Sequence, residues 1–148
     1  MRLTKASEYA IRSLLFLAGQ KPGAVASRRE IAKAMDIPYQ FLGKIGPTLA
    51  AAGLIRIVQG AKGGFRLARP AGEISLLDAI EAVEGEIFLN DCLMAPGTCH
   101  RSPACPVHQV WSGVTSELRR VLASADFADL AAREAGNKSK HRPAASRK

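Results

Sequence analysis

The stretch SRREIAKAMDIPYQFLGKIGPTLAAAG, residues 27–53, decides the fold that the sequence predicts. It opens with Ser27 three residues before Glu30, the spacing of a capping box, in which two side chains satisfy free backbone N–H groups at the start of a helix. We expect this helix to end near Asp36 and a second helix to run over 38–52, with a proline in its first position. Two short helices joined by a tight turn, the second of them longer, are typical of a helix-turn-helix.

The flanking segments predict a winged helix. Before the stretch, TKASEYAIRSLLFLAG (4–19) has small and apolar residues at three-and-four spacing and ends in glycine, which predicts a helix with one buried face. After it, LIRIVQGAKGGFRLARP (54–70) has strand formers on both sides of the turn GAKGG, which predicts a β-hairpin. The inward face of the longer helix is predicted to hold Phe41, Leu42, Ile45, Leu49 and Ala52. The predicted fold class is mainly α with a small β-hairpin: a winged helix-turn-helix over 1–72, plus a long C-terminal dimerisation helix.

The second half of the chain divides into three predicted segments. Residues 73–105 begin with a short acidic helix, ISLLDAIEAVEG, capped by Ser75, and end in a loop that holds every cysteine of the chain. Residues 106–135 are predicted to form a long helix followed by a short one. Residues 136–148 are basic and lack apolar periodicity, so we expect a disordered tail.

The long helix carries an apolar seam close to a heptad pattern. A seam this apolar outside the winged domain needs a partner surface, and a second copy of the chain is the partner we expect, with the contact over 106–122. The seam and its flanking positions are Val107, Val110, Trp111, Val114, Leu118, Val121 and Leu122.

Charge is unevenly distributed around the net value of +8. Residues 1–72 carry 12 Lys/Arg against 3 Asp/Glu, whereas residues 73–135 carry 4 against 10. A basic half joined to an acidic half is typical of a polyanion-binding module attached to another unit. The N-terminus does not resemble a secretion signal, and no apolar run approaches the roughly 18 residues that span a bilayer. We therefore expect a cytoplasmic protein without a membrane anchor, in a compartment where thiols stay reduced.

Side chains that leave the buried face of the helix-turn-helix are candidates for contacting DNA. The second helix is expected to enter the major groove, where glutamine pairs with adenine and lysine with guanine or phosphate. Arginines at the start of the preceding helix are placed to hold backbone phosphates. The tip of the hairpin is placed to reach the neighbouring minor groove. The candidates are Arg28, Arg29, Tyr39, Gln40, Lys44 and Lys62, with Arg2 and Lys5 as further phosphate contacts.

Cys92, Cys99 and Cys105 lie in one loop rich in proline and glycine. Thiolates are soft ligands favoured by iron–sulfur clusters and by zinc, and three of them leave one position of a four-ligand site open. His108, separated from Cys105 by two residues in the stretch CPVH, is the local candidate for the fourth ligand. His100, directly beside Cys99, is a weaker candidate. Zinc sites usually contain cysteines two to four residues apart, a spacing absent here. A metal-free redox switch of the thiols remains an alternative.

Five segments together resemble the Rrf-two family of bacterial transcription regulators, the IscR/NsrR type. They are MRLTKASEYAIRSLLFLA, EIAKAMDIPYQFLGKI, AAGLIRIVQGAKGGFRLARP, EISLLDAIEAVEG, and the cysteine loop with its following helix. The resemblance implies a homodimer on a roughly palindromic operator and an iron–sulfur cluster on the three cysteines. It also implies a fourth ligand, either His108, as in the cluster-assembly branch, or Glu8 from the dimer partner, as in a nitric-oxide-sensing branch.

Two positions depart from the family pattern. Gly46-Pro47 stands inside the second helix of the helix-turn-helix, where proline removes a backbone hydrogen bond and is expected to kink the chain. Gln59 stands before the wing glycine where members often carry arginine, so a minor-groove arginine contact is not carried over.

The sequence predicts a homodimeric DNA-binding transcriptional repressor whose operator affinity is controlled by an iron–sulfur cluster that senses iron, redox state or nitric oxide. The alternatives are a metal-free thiol-switch regulator and a non-sensing DNA-binding adaptor. An enzyme is not expected, because the chain has no C-x-x-C pair, no nucleophile elbow and no phosphate-binding glycine loop.

Overall fold

The computed structural model describes residues 2–95 and 97–140. Within them the fold is mainly helical, with one two-stranded antiparallel sheet, in the element order expected of a winged helix. Single-turn 3-10 helices occupy Ala71–Glu73 and Ser102–Ala104. The α-helices and strands are α1 Lys5–Ala18, α2 Arg28–Met35, α3 Tyr39–Ala51, β1 Ile55–Val58, β2 Gly64–Leu67, α4 Leu76–Glu84, α5 Asp91–Met94, α6 Pro106–Ser124 and α7 Phe127–Lys140.

Local sequence signals set both ends of α2 and the N-terminal end of α3. The Ser27 hydroxyl accepts from the Glu30 N–H, and the Glu30 carboxylate accepts from the Ser27 N–H, so the predicted capping box is present. Asp36 ends α2 in the left-handed conformation, with φ of 53°, which aspartate tolerates better than most residues. Pro38 is the N-cap of α3 instead of its first residue. The prediction that Ala52 faces inward is wrong: it lies past the last turn of α3 and is exposed.

The hairpin packs on α3 through one aromatic ring. Phe65, on β2, is almost fully buried, and its backbone pairs with Ala26 in the segment before α2. A methyl group at Gly46 would lie 2.6 Å from Cζ of this ring, so glycine is needed on α3 for the ring to fit. Gly46 and Pro47 both lie inside the helix, which continues to Ala51.

A second group of helices packs on the winged helix. Helix α4 lies against α1 and α3, α6 lies against α4, and α7 returns to α1. The start of α7 is tied down by Phe127, which is fully buried and whose N–H donates to the Ile74 carbonyl at 3.0 Å. The predicted capping of α4 by Ser75 is also present, with Asp78 as its reciprocal partner.

The C-terminal region differs from the prediction in one respect. Helix α7 runs to Lys140, so the expected disorder from residue 136 is wrong for 136–140. Ion pairs four residues apart, Asp129–Arg133 and Glu134–Lys138, support the exposed side of this helix. The remainder of the predicted tail, 141–148, lies outside the described residues. No helix in the described part of the chain is long and apolar enough to cross a membrane.

Candidate nucleic-acid interface and cysteine cleft

A groove of about 410 Å³ lies between the helix-turn-helix and the hairpin. Its walls are the start of α2, one side of α3 and the turn that joins the two strands. Arg28, Arg29 and Tyr39, three of the predicted DNA-binding residues, line it together with Gln59 of the hairpin turn. The groove is therefore a concave surface with two cations on one wall.

Tyr39 holds these two cations side by side. Its ring is 44% exposed, and the guanidinium carbons of Arg28 and Arg29 lie 5.2 and 6.0 Å from the ring centroid. These distances fall within the range of cation–π attraction. Both arginines also stand at the N-terminus of α2, where the helix dipole adds positive potential. The arrangement suits a phosphate group.

Gln40, Lys44 and Lys62 lie on exposed positions of α3 and of the hairpin turn. Gln40 is in the first turn of α3, and Lys44 follows one turn later with its ammonium 5.6 Å from the Phe41 ring centroid. None of the candidate cations on α2, α3 and the hairpin forms a salt bridge to another described residue. Their charges are available to an external anion.

Arg2 and Lys5 lie outside the groove. Arg2 lines a small cleft with Glu84 and Glu86 at the end of α4. The Lys5 ammonium donates to the Glu8 carboxylate at 2.7 Å, and this hydrogen bond lowers the pKa of Glu8. Neither cation lines the groove that holds Arg28 and Tyr39.

Arg12 is a structural contributor that the sequence analysis missed. Its guanidinium donates to the carbonyls of Met35 and Asp36 at 3.3 and 3.1 Å and lies over the Tyr9 ring. It thereby satisfies carbonyl groups at the C-terminal end of α2, in the turn that sets the direction of α3. Backbone acceptors 23 and 24 residues away produce no sequence pattern, which is why the residue was not found.

The three cysteines line one cleft of about 340 Å³, formed by α5, the loop after it and the start of α6. His108 lines the same cleft, and its Nδ1 lies 3.4 Å from the Cys92 sulfur. All three cysteines are half-buried and unbridged. The Ser102 hydroxyl, on the wall of this cleft, is buried without a hydrogen-bond partner in the described structure. The cleft thus gathers three sulfur atoms, one imidazole and an unsatisfied polar atom.

The side chains do not form a finished metal site in this conformation. Across residues 2–95 and 97–140, no three His, Cys, Asp or Glu side chains are close enough to hold a metal ion. His100 lines an adjoining cleft with Cys92, Cys99 and His108. Glu8 lines neither cleft and is paired with Lys5. The donor atoms fit an iron–sulfur cluster or zinc in kind, and tighter convergence would require the loop to move.

Helix α4 connects the helix beside the cleft to the winged helix. At one point Arg119 of α6 forms a two-point ion pair with Glu81 of α4, and both side chains are partly buried. At its C-terminal end, Glu84 accepts hydrogen bonds from the Ser7 and Thr4 hydroxyls and from the Thr4 N–H, at the start of α1. These bonds lower the pKa of Glu84. Charged and hydrogen-bonded contacts therefore run from α6 through α4 to α1.

Helix α6 presents an exposed apolar face in the single chain. Its large apolar side chains on this face are between 37% and 59% exposed, whereas Thr115 is the only buried residue of the helix. Isolated exposed apolar residues are ordinary, but a contiguous row of them usually marks a contact surface. The row is Val107, Val110, Trp111, Val114 and Val121.

This combination of helix-turn-helix, cation-lined groove and hairpin defines a winged-helix DNA-binding regulator. Residues 3–133 match the protein family described as Rrf2, an iron-dependent transcriptional regulator. The chain therefore belongs to the Rrf2 family of transcriptional regulators, as its sequence resemblance indicated, and it is a DNA-binding regulator and not an enzyme.

Individual relatives and structures agree with this membership. The chain is 31% identical over 135 residues to the HTH-type transcriptional regulator NsrR of Shouchella clausii, covering 90% of this chain and 91% of the relative. The oxidised form of Staphylococcus aureus CymR superposes with a TM-score of 0.68 at 30% identity, over 88% of this chain and 96% of that one. IscR of T. potens superposes with a TM-score of 0.69 at 24% identity, over 97% and 93%. The predicted fold class is confirmed by these neighbours.

Proposed function

We propose that the protein is a homodimeric repressor whose affinity for operator DNA is controlled by an iron–sulfur cluster at the cysteine cleft. The observation that carries the proposal is the convergence of Cys92, Cys99, Cys105 and His108 on one cleft beside α6. The description of the family as iron-dependent supports it. Operator DNA in a bacterial cell lies in the cytoplasm, and the proposal places the protein there.

On the DNA side, α3 enters the major groove and the arginines of α2 hold a phosphate. Gln40 and Lys44 are the base-reading candidates, because both are exposed on the first turns of α3. Arg28 and Arg29, ordered by Tyr39, hold the adjacent backbone, and Lys62 contacts the DNA from the hairpin tip. Arg2 and Lys5 add phosphate contacts only if DNA extends past the α1 N-terminus.

At the cleft, the three cysteines and His108 hold the cluster. When bound, an iron–sulfur cluster would supply metal–thiolate bonds that break on oxidation, on reaction with nitric oxide or when iron is lost. Cys92 lies on α5 and His108 in the first turn of α6, so a cluster held by both residues would fix these two helices to each other. The unsatisfied Ser102 hydroxyl supports a polar occupant of the cleft, because a buried hydroxyl without a partner costs about 1–3 kcal/mol.

The second copy of the chain covers the apolar face of α6. Four valines and one tryptophan, each about one-third to two-thirds exposed, form this face. They offer the continuous surface that a helix pair requires. The Arg119–Glu81 ion pair and the Glu84 contacts to α1 then couple the relative orientation of the two α6 helices to the spacing of the two α3 helices. A ligand-dependent change in the spacing of the two α3 helices alters their fit to two DNA half-sites at a fixed separation, and therefore changes operator affinity.

Anaerobic purification tests the cluster. We expect brown protein with a visible absorption band and matched iron and acid-labile sulfide, and loss of the band in Cys99→Ser. His108→Ala should destabilise the bound iron, while the matched variant His100→Ala should not, since His100 is exposed and lies outside the cleft that all three cysteines share. Glu8→Gln tests the alternative ligand in the same assay. Colourless, iron-free protein after reconstitution would refute the cluster.

A thiol switch is the second candidate. It is favoured by the placement of three unbridged cysteines in one cleft where the described side chains form no metal-binding group. The structural likeness to an oxidised form of CymR is consistent with it. The two candidates separate in one experiment: a thiol switch changes operator affinity with oxidant in protein shown to be free of iron, and iron-free protein under the cluster proposal does not.

A further inference from the structure

Trp111 belongs to two surfaces at once. It lines the cysteine cleft with Cys92, Cys99 and Cys105, and it is 37% exposed in the apolar row of α6. Val107 also belongs to both, but it is a smaller side chain in the first turn of the helix. Trp111 is the only tryptophan of the chain.

We propose that Trp111 is the positioning residue through which the state of the cysteine cleft changes the strength of the α6 dimer contact. The inference rests on the dimer and the cysteine sensor proposed above. Because one rigid indole forms part of both surfaces, a loop that closes on the cleft or is pulled across it displaces the ring. The same displacement adds or removes apolar surface where the second copy packs.

The size of the ring makes this displacement effective. An aromatic side chain offers about 150–250 Å² of surface, and burial of apolar surface contributes about 25 cal/mol per Å². In a symmetric dimer each change occurs twice, so about 25–30 Å² per copy alters the dimer dissociation constant by roughly tenfold. A modest rotation of the indole is therefore sufficient for strong coupling.

The test compares the dimer dissociation constant in different states of the cleft, by analytical ultracentrifugation of the full chain. The states are reduced and metal-free, reconstituted with iron and sulfide, and oxidised with diamide, which takes the two electrons and two protons of a thiol pair as a disulfide forms. The variants are Trp111→Ala, Trp111→Phe and a matched control, Val114→Ala. Val114 lies in the same apolar row, 47% exposed, and does not line the cleft.

In the parent chain we expect at least one treatment to change the dissociation constant by about 5-fold or more, in the usual range of coupling between sites. Trp111→Ala should bring the states to within about 2-fold of one another, and Trp111→Phe, which keeps an aromatic ring, should restore most of the difference. Val114→Ala should weaken the dimer in every state by one common factor and keep the ratio.

Fluorescence gives a second readout that needs no dimer. At concentrations below dimerisation, the emission of the single tryptophan should shift when the cysteines are oxidised. An unchanged dissociation constant in all parent states, or an undiminished ratio in folded Trp111→Ala, overturns the inference. If reconstitution gives no colour but oxidation still changes dimerisation through Trp111, the cluster proposal fails and this inference stands.

Discussion

Replacing Gly46 by alanine is expected to destabilise the protein, although alanine normally favours a helix. The new methyl carbon would lie 2.6 Å from Cζ and 3.0 Å from Cε1 of Phe65, whereas carbon atoms in good contact are about 3.5–4.0 Å apart. The ring must therefore move by about 1 Å. The ring has little room to move, because Phe65 is only 2% exposed and its backbone is hydrogen-bonded to that of Ala26.

Two opposing terms decide the size of this effect. Forcing extra volume into a packed core costs about 1–3 kcal/mol, and alanine gains up to about 1 kcal/mol over glycine inside a helix. With the full helix gain, the net loss in free energy of unfolding is up to about 2 kcal/mol, which corresponds to up to roughly 6 °C in Tm for a chain of this size. Since Phe65 positions the hairpin on α3, operator affinity should fall as well.

Equilibrium urea unfolding at one fixed protein concentration measures the loss. Gly43→Ala is the matched control on the same helix: its methyl group would meet only the Arg28 side chain, at an ordinary 3.5 Å, so this variant should be as stable as the parent or more so. Phe65→Leu should recover part of the loss when combined with Gly46→Ala. A Gly46→Ala protein at least as stable as the parent would show that the Gly46–Phe65 contact does not constrain α3.

Three further predictions concern the groove, the turn and α4. Arg28→Ala should weaken operator binding and reduce the slope of log affinity against log salt by about 1, one phosphate contact, while Lys21→Ala, away from the groove, should change neither. Arg12→Ala should lower the free energy of unfolding by about 1–2 kcal/mol through the loss of its two hydrogen bonds to the turn, measured by urea unfolding; a neutral result would remove its role in the turn. Hydrogen bonds lower the pKa of Glu84 in the folded state, so its stabilisation is present above the ordinary carboxyl pKa and is lost as pH falls through the lowered one. The stability difference between parent and Glu84→Gln, about 1 kcal/mol at pH 7 after solvent screening, should therefore shrink on acidification below about pH 4.5, and a pH-independent difference would contradict this.

Local signals predicted the parts of the fold that depend on a few neighbouring residues. The capping boxes at Ser27 and Ser75, and the glycine pair of the hairpin turn, act within three or four residues. Gly63 fits this logic, because a methyl group there would lie 2.9 Å from the Gly60 carbonyl oxygen, three residues earlier in the same turn. These signals, in their order, were sufficient to predict the winged helix.

Interactions across long sequence separations could not be predicted. In the sequence Gly46 stands out only as the neighbour of Pro47 inside the helix, and the need for glycine there is set by Phe65, whose position depends on the folded hairpin. Ion pairing between Arg119 and Glu81 joins residues 38 apart on two helices. For the cysteine cleft, sequence proximity predicted that the three thiols would lie together with His108, and the structure places them on one cleft. The way in which α6 and α4 connect that cleft to α1 emerged only from packing.

Operator affinity in defined states of the cysteine cleft tests the central claim most directly. Binding sites are selected from fragmented genomic DNA, and the dissociation constant for one recovered site is measured by fluorescence anisotropy with anaerobic cluster-loaded protein, metal-free reduced protein and Cys99→Ser. We predict that loading changes the dissociation constant by about 10-fold or more in the parent chain and that Cys99→Ser always behaves as the metal-free form. Equal affinity of the loaded and metal-free parent protein for the same site would contradict the account.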